Sequence, residues 1–588
     1  MTGVVVVLSI VKILIMVGFI LQMAALATWA DRRQGAMVQD RVGPNRAVVF
    51  LPSIVVRLIF LVPPAFFATL AGFAAVRGVA GPGAAEAALT GAELSIFVAW
   101  FSLLVLCFVV RRKGAANGFD EMVASWSPRS ILITGLALHV VAFVALGAVP
   151  AEAIPVAARA MNGLLALVFA AVAIYSAAKV PDGKIGIRLA GTLHAIADTI
   201  KMVWKEDFIP PKGDKILHGL APILAVFPVL VTCAVIPFGR SLCFRDLNKN
   251  GLDWADLGTV APAMGSTFQC PAGTAVPLQI SDLNVGILYI FAMAGTGVIG
   301  AAIAGWASDN KWSLLGGLRA ASQMVSYEVA MGISLIGLLL VYGSIRLGPI
   351  VEWQSTHTWG IFVQPFAFIL FLTALLAETK RVPFDQPEGE SEIVAGYFVE
   401  YSGLKWGMFM TGEYAEVITS SILLVTLFFG GYSVPFLRPD GIHVAFGDSV
   451  LFDYRMNHVA VVVIGALAFF SKVVVMAWAQ VFIRWTVPRF RYDQLMKLGW
   501  TRLLPLALGN MLVTGIVVLA IDGNAGVEGA LRVVADVTQA AIAVGTLAAV
   551  LALFFGLVEP VKRQKILLST AQKFAAAAGG VRMAARQL

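Results

Sequence analysis

The chain has 588 residues; 59% are hydrophobic, only 13% are charged, and the net charge is +8. A soluble domain carries roughly a quarter charged residues, so this composition excludes a soluble globular enzyme. The basic surplus is spread over short loops between apolar runs, which excludes a nucleic-acid patch and fits orientation in a membrane.

Apolar runs of about 20 residues recur along the chain, each long enough to cross a bilayer. In hydrocarbon the backbone must satisfy its own hydrogen bonds, so these runs are predicted helices. The expected fold class is an all-α polytopic membrane protein of about 13 transmembrane helices plus an interfacial amphipathic helix. The spans fall near 4–30, 54–76, 92–110, 131–149, 161–179, 217–238, 283–306, 323–343, 360–378, 407–431, 457–482, 503–521 and 537–558. Most of the 43 Lys and Arg residues lie in loops on one side. This predicts an N-terminus outside and a basic C-terminal tail inside, and the resemblance set out below implies a bacterial inner membrane. No cleavage pattern follows the first run, which is expected to be a retained span.

In chain order, QDRVGPNR (Gln39–Arg46) follows the first span. Gly43-Pro44 signals a turn, and Arg41 and Arg46 place fixed charges at the membrane surface. By itself this is better read as a charged anchor loop. In Gly191–Asp207, residues Leu193, Ile196, Ala197, Ile200, Val203 and Trp204 recur on one helical face. Asp198, Lys201, Lys205 and Glu206 decorate the other, the pattern of a helix lying in the interface.

The outer loop Gly239–Asp282 holds Cys243 and Cys270, which could pair in an oxidising compartment. It also carries DLNKNGLDWAD, where Asp246, Asn248 and Asn250 fit the opening of a calcium loop. Asp253 and Asp256 arrive one residue early for that motif, so a polar turn is the safer reading. Cys107 and Cys233 lie in apolar runs and read as core residues.

In SYE (Ser326–Glu328) a carboxylate enters an apolar helix. It must be neutral, paired or wetted there, and suits either a proton relay or a structural ion pair. The acidic stretch Glu378–Glu416 follows between two long apolar runs. From Asp385 to Glu400 it holds Asp385, Glu388, Glu390, Glu392 and Glu400 with no basic residue. Glu413 and Glu416, three apart, can share a helix face. Clustered carboxylates repel, so some should titrate as coupled groups above ordinary values, as proton relays do. A solvated acidic loop is the bland alternative. In Phe482–Trp500, Arg484, Arg489 and Arg491 with Asp493 form a basic segment able to pair with those acids or anchor a neighbouring subunit. The sequence carries no P-loop, dinucleotide fingerprint, CxxC or haem motif, so electrons in any redox reaction must be carried by another subunit.

QDRVGPNR, IADTIKMVWKED, SLLGGLRAASQMVSYE, VPFDQPEGESEIVAGYFVEYSG and PRFRYDQLMKLGW together resemble, in order, the H subunit of proton-pumping NADH:quinone oxidoreductase (respiratory complex I), the counterpart of mitochondrial subunit 1. The resemblance implies a subunit that forms the membrane end of a quinone chamber and couples quinone reduction to proton translocation. It implies that Glu328, Glu388, Glu390, Glu392, Glu400, Glu413 and Glu416 belong to the proton path. Arg41, Arg46, Arg381, Phe384 and Asp385 would then line the chamber or contact the peripheral arm. The partners it implies are the peripheral quinone-site and iron–sulfur subunits, adjacent membrane-arm subunits, quinone and lipid. No cofactor is expected on this chain alone; NADH, FMN and iron–sulfur clusters would sit in partner subunits.

On this reading the chain divides into 1–50, the first span and quinone-side loop; 51–190, an insertion of four spans; 191–521, the amphipathic helix and seven core spans; and 522–588, an extra span and basic tail. Four spans is an even number, so the amphipathic helix still starts on the inner side. The equivalent subunit of a proton-pumping membrane-bound hydrogenase or related dehydrogenase is the alternative function, and a plain membrane anchor is a third.

Overall fold

The computed structural model of the protein describes residues 2–39, 43–44, 47, 49–52, 184–187, 191–244, 274–438, 441–446, 449–455, 458–521, 533–546 and 548–549. Arg41, Arg46, Asp246, Asn248, Asn250 and Cys270 lie outside the described residues, as do the spans expected over 54–179 and the end of the last, 550–558. The chain divides into two compact units, one of Met1–Gln34 and Asp198–Gly545, the other of Gly35–Ala197 and Thr546–Leu588.

Among the described residues, seven helices are long and apolar enough to cross a membrane. They are Val6–Val38, Lys215–Val235, Gly286–Ala307, Lys311–Tyr342, Gly403–Phe428, Val461–Thr486 and Tyr492–Ile521. The helices around the acidic stretch include α1 (Thr2–Val38), α2 (Leu193–Trp204), α3 (Lys215–Thr232), α4 (Gly286–Ala307), α5 (Lys311–Tyr342) and α6 (Leu347–Thr356). They continue with α7 (Pro365–Glu378), α8 (Gly403–Phe428), α9 (His458–Thr486), α10 (Tyr492–Leu498) and α11 (Leu504–Ile521).

Two of the boundaries that differ from the sequence expectation have a local cause. Helix α5 starts at Lys311, well before 323, because Asn310 caps it and accepts from the Trp312 amide at 2.9 Å. It stops at Gly343, whose φ of 64° is the left-handed C-cap. The span expected over 360–378 is a separate turn, Gly360–Val363, followed by α7. Pro365 opens the second piece at the position where its missing amide costs least.

Helix α8 is central: 72% of its most apolar stretch is buried inside the chain, against 11% for Tyr492–Ile521. It packs on α3 and α9, while α5 packs on α4, α7 and α11. Polar side chains on α8 therefore face protein instead of lipid, which is where a membrane helix tolerates them. Gln480 of α9 donates to the Ser420 and Ser421 hydroxyls at 3.1 and 2.9 Å. Lys472, a turn and more away, donates to the carbonyls of Phe429, Gly431 and Ser433 at 2.8, 3.0 and 2.6 Å, closing the C-terminal end of α8.

Helix α2 is the expected amphipathic helix, and no residue in it is buried. Ile196, Ile200, Val203 and Trp204 are all exposed. Arg32 of α1 pairs with Asp198 at 2.5 Å. Beyond the end of α2, Ser402 donates to the Glu206 carbonyl at 2.8 Å, and Lys405 pairs with Asp207 at 2.9 Å, tying this end to the start of α8.

In the second unit, strand β1 (Val49–Pro52) pairs antiparallel with β2 (Lys184–Ile187). Pro52 stands opposite Lys184, so the stretch between leaves and returns at one place. In the first unit, β3 (Leu242–Phe244) pairs with β4 (Thr274–Val276), and β5 (Leu437–Arg438), β6 (Gly441–Phe446) and β7 (Ser449–Arg455) form a three-stranded sheet.

Candidate functional site

The segment between α7 and α8 folds inward. Gln323 of α5 is fully buried and donates to the carbonyls of Ala377 and Phe384 at 2.7 and 2.8 Å. The Phe490 amide donates to the Pro383 carbonyl at 3.1 Å, and Gln386 donates to the Phe490 carbonyl. Phe384 stacks on Phe490 with ring centres 5.5 Å apart. These contacts hold Lys380, Arg381, Asp385 and Gln386 in the interior, each under 9% exposed. A sequence this polar is buried only because each charge meets a partner.

Lys380 donates to Glu416 at 3.1 Å. Arg381 Nη2 lies 3.1 Å from Glu413 Oε2, an ion pair without hydrogen-bond alignment. The other Glu413 oxygen accepts from the Tyr397 hydroxyl at 3.0 Å. Arg381 also lies over the Tyr414 ring, 4.1 Å from its centre. Arg489 donates to Asp385 at 2.8 Å. Asp31 of α1 accepts from Tyr414 at 2.9 Å, Arg484 at 2.5 Å and Trp485 at 2.8 Å.

Burial pushes the Asp385 carboxyl up to about 6; Arg489 pulls it down and Glu413 pushes it up. Glu388 is held well above its ordinary value by burial, then by Glu413 and Asp385, with Arg381 opposing. Burial lowers Lys380, but the carboxylates of Glu416 and Glu413 outweigh it and keep the ammonium charged. Four cations (Lys380, Arg381, Arg484, Arg489) thus meet six carboxyls (Asp31, Glu378, Asp385, Glu388, Glu413, Glu416), a surplus of two acids. Burial makes uncompensated charge costly and so favours holding part of such a surplus as bound protons.

Beside this cluster lies a cavity of about 70 Å³. Glu378, Glu416, Thr232, Thr379, Thr419 and Ser420 give it polar walls, and it is otherwise apolar. It is large enough for water, which needs roughly 10–15 Å³ of such space per molecule. Glu328 is half-buried on α5, beside Gly295 of α4, close enough to Glu378 for their charges to repel.

The structure brings Glu388, Glu413 and Glu416 together with Arg381, Phe384 and Asp385. Two expected members stand apart. Glu400 accepts from Asn310 at 2.7 Å beside the α5 cap, and Glu392 is exposed and pairs with Arg319 at 2.7 Å. The Glu390 side chain lies outside the described residues; its backbone starts the single turn Glu390–Ile393. Among the basic segment, Arg489 does reach the acidic loop and Arg484 reaches Asp31, whereas Arg491 pairs at the surface with Asp493 at 3.5 Å. Sequence reasoning missed Asp31, Lys380, Tyr397, Tyr414 and the partner role of Glu378. Asp31 did leave a signal, an acid directly after the first apolar run. Among the described residues, no group of three or more His, Cys, Asp or Glu is arranged to hold a metal.

Residues 180–515 match the family model described as NADH dehydrogenase. A protein of Cytophaga hutchinsonii, named as the first H subunit of its NADH-quinone oxidoreductase, is 38% identical over 361 residues, covering 60% of this chain and 94% of that protein. The NADH-quinone oxidoreductase H subunit of Flavobacterium psychrophilum is 41% identical over 332 residues, covering 56% and 84%. The first such H subunit of Geobacter metallireducens is 40% identical over 329 residues, with the same coverages. The matched region contains the inward loop and α8 with all their charges except Asp31, and the chain belongs to the NADH dehydrogenase family, as a multi-pass membrane subunit of an NADH-quinone oxidoreductase.

Proposed function

We propose that this chain forms the membrane end of a quinone chamber and passes the charge change of quinone reduction into a membrane proton route. The observation that carries the reading is the buried cluster on the inward loop and α8, with two more carboxyls than cations. Converting a quinone to a quinol takes two electrons and two protons. Negative charge gathering at a chamber beside this cluster shifts the balance of its bound protons, because Coulomb forces in a low-dielectric interior reach far. Arg381, Phe384 and Asp385 stand at the chamber end on this reading. Glu388, Glu413, Glu416 and Glu378 carry the change inward to the cavity, with Glu328 beyond it.

Glu390, Glu392 and Glu400 fit the mouth of the route, and Arg41 and Arg46 the chamber rim. The electrons come from iron–sulfur clusters of a peripheral subunit, behind NADH and FMN. The N-terminus faces outward and the basic tail the cytoplasm of a bacterial inner membrane. Residues 51–190 are an insertion into the family's plan, a reading supported by Pro52 and Lys184 standing side by side.

Glu413→Gln in the intact complex tests the function in inverted membrane vesicles. Electron flow from NADH to a water-soluble acceptor should persist, because that step lies in the peripheral arm. Quinone reduction and proton uptake should both fall at least tenfold. Unchanged rates of both in the assembled variant would reject the reading in favour of a passive anchor.

A further inference from the structure

Asp31 belongs to none of the acidic motifs, yet its side chain is 8% exposed and takes three donors. They come from two other helices: Tyr414 from α8, and Arg484 and Trp485 from α9. The Tyr414 ring, on its other side, carries the Arg381 guanidinium at 4.1 Å. Arg381 in turn faces Glu413. We propose that Asp31 is a positioning residue for the coupling cluster, acting through Tyr414 to set where Arg381 stands relative to Glu413.

The inference rests on reading that cluster as the coupling site. Arg381 is aimed by the ring and the ion pair, since its Nε and Nη2 make no hydrogen bond. A phenol that donates to a carboxylate has a more electron-rich ring, and so a stronger hold on a cation above it. Asp31 also offsets the charge of Arg484, which would otherwise repel Arg381 across Tyr414. The charged and titratable groups around Asp31 are therefore Tyr414, Arg484 and, behind the ring, Arg381. Loss of the Asp31 charge weakens the hold on the Tyr414 hydroxyl and on Arg484 and lets Arg381 drift from Glu413.

The test compares Asp31→Asn, Asp31→Glu and Tyr414→Phe with the unmodified complex in inverted vesicles. Rates are normalised to electron flow into a water-soluble acceptor, which counts assembled complex. Asp31→Asn should lower quinone reduction by about tenfold, the size of one lost charged hydrogen bond, and displace its pH profile. Asp31→Glu should recover most of the rate. Tyr414→Phe keeps the ring and removes only the hydroxyl, so it should displace the profile in the same direction by less. Should Asp31→Asn fail to assemble, Tyr414→Phe decides alone. Unmodified rate and pH profile in the assembled variants would overturn the proposal. Glu413→Gln, run in parallel, separates the two claims. If it is impaired while the Asp31 and Tyr414 variants are silent, only this inference falls. If it too is silent, the proposed function falls with it.

Discussion

Lys380→Met removes the cation beside Glu416 and tests whether the cluster is held by paired charge. Both side chains are well buried, at 5% and 16% exposed, with the nitrogen 3.1 Å from the oxygen. With an effective dielectric constant near 20, two unit charges at 3.1 Å attract by about 5 kcal/mol. Desolvation offsets much of that, so the intact pair contributes little net stability. Removing one partner is different, because it leaves the other buried without its hydrogen-bonded counter-charge and costs about 3–5 kcal/mol. Glu416→Gln should cost a similar amount by stranding Lys380. Lys380→Met with Glu416→Gln leaves no stranded charge. The double variant should be less damaged than the two single losses combined, by at least about 2 kcal/mol.

The assay is the thermal midpoint of the solubilised complex, alongside the yield of assembled complex from membranes. A second readout separates structure from function. The double variant should assemble nearly normally yet pump protons poorly, because Glu416 has lost its titratable group. Midpoint shifts that simply add would refute the pairing argument, as would a Lys380→Met complex that melts with the unmodified one.

Asp385 should titrate near 6 in a carbonyl-region infrared experiment, and Arg489→Met should move that midpoint upward, since the guanidinium favours the charged form. A downward or absent shift would contradict the assignment. The sign for stability follows: the folded chain binds this proton more tightly than the unfolded one. This carboxyl's contribution therefore declines as pH rises from about 4 through about 6. Lys472→Met should lower the thermal midpoint by the equivalent of about 2–4 kcal/mol, because three carbonyls ending α8 lose a charged donor; an unmoved midpoint would show that water replaces it. Gly316→Ala should cost about 1–3 kcal/mol and impair quinone reduction. A Cβ there would stand 2.6 Å from the Tyr397 nitrogen, pushing the turn that supplies the Glu413 donor; full activity in this variant would count against the role given to Tyr397.

The helices of the membrane domain were legible in the sequence because their signal is local. About 20 apolar residues in a row have only one way to satisfy their backbone in lipid. The amphipathic α2 was legible for the same reason, its apolar stripe being a property of spacing alone. The stop at Gly343 and the cap at Asn310 were also written locally, although the apolar run concealed how far α5 extends ahead of it. The family was legible through its long ordered motifs.

Which acids meet was not local information. Glu388, Glu392 and Glu400 look alike in the sequence, yet one is enclosed with Asp385 and Glu413, one pairs at the surface with Arg319, and one sits beside a helix cap. Their partners come from residues 73 and 90 positions away in the second and third cases. The link from Asp31 to Arg484 spans 453 positions. Composition and periodicity determined that carboxylates enter the membrane domain. The packing of α1, α5, α8 and α9 around the inward loop decided which of them are buried against a cation and which keep their water, because a charge is settled by what lies within a few ångströms of it.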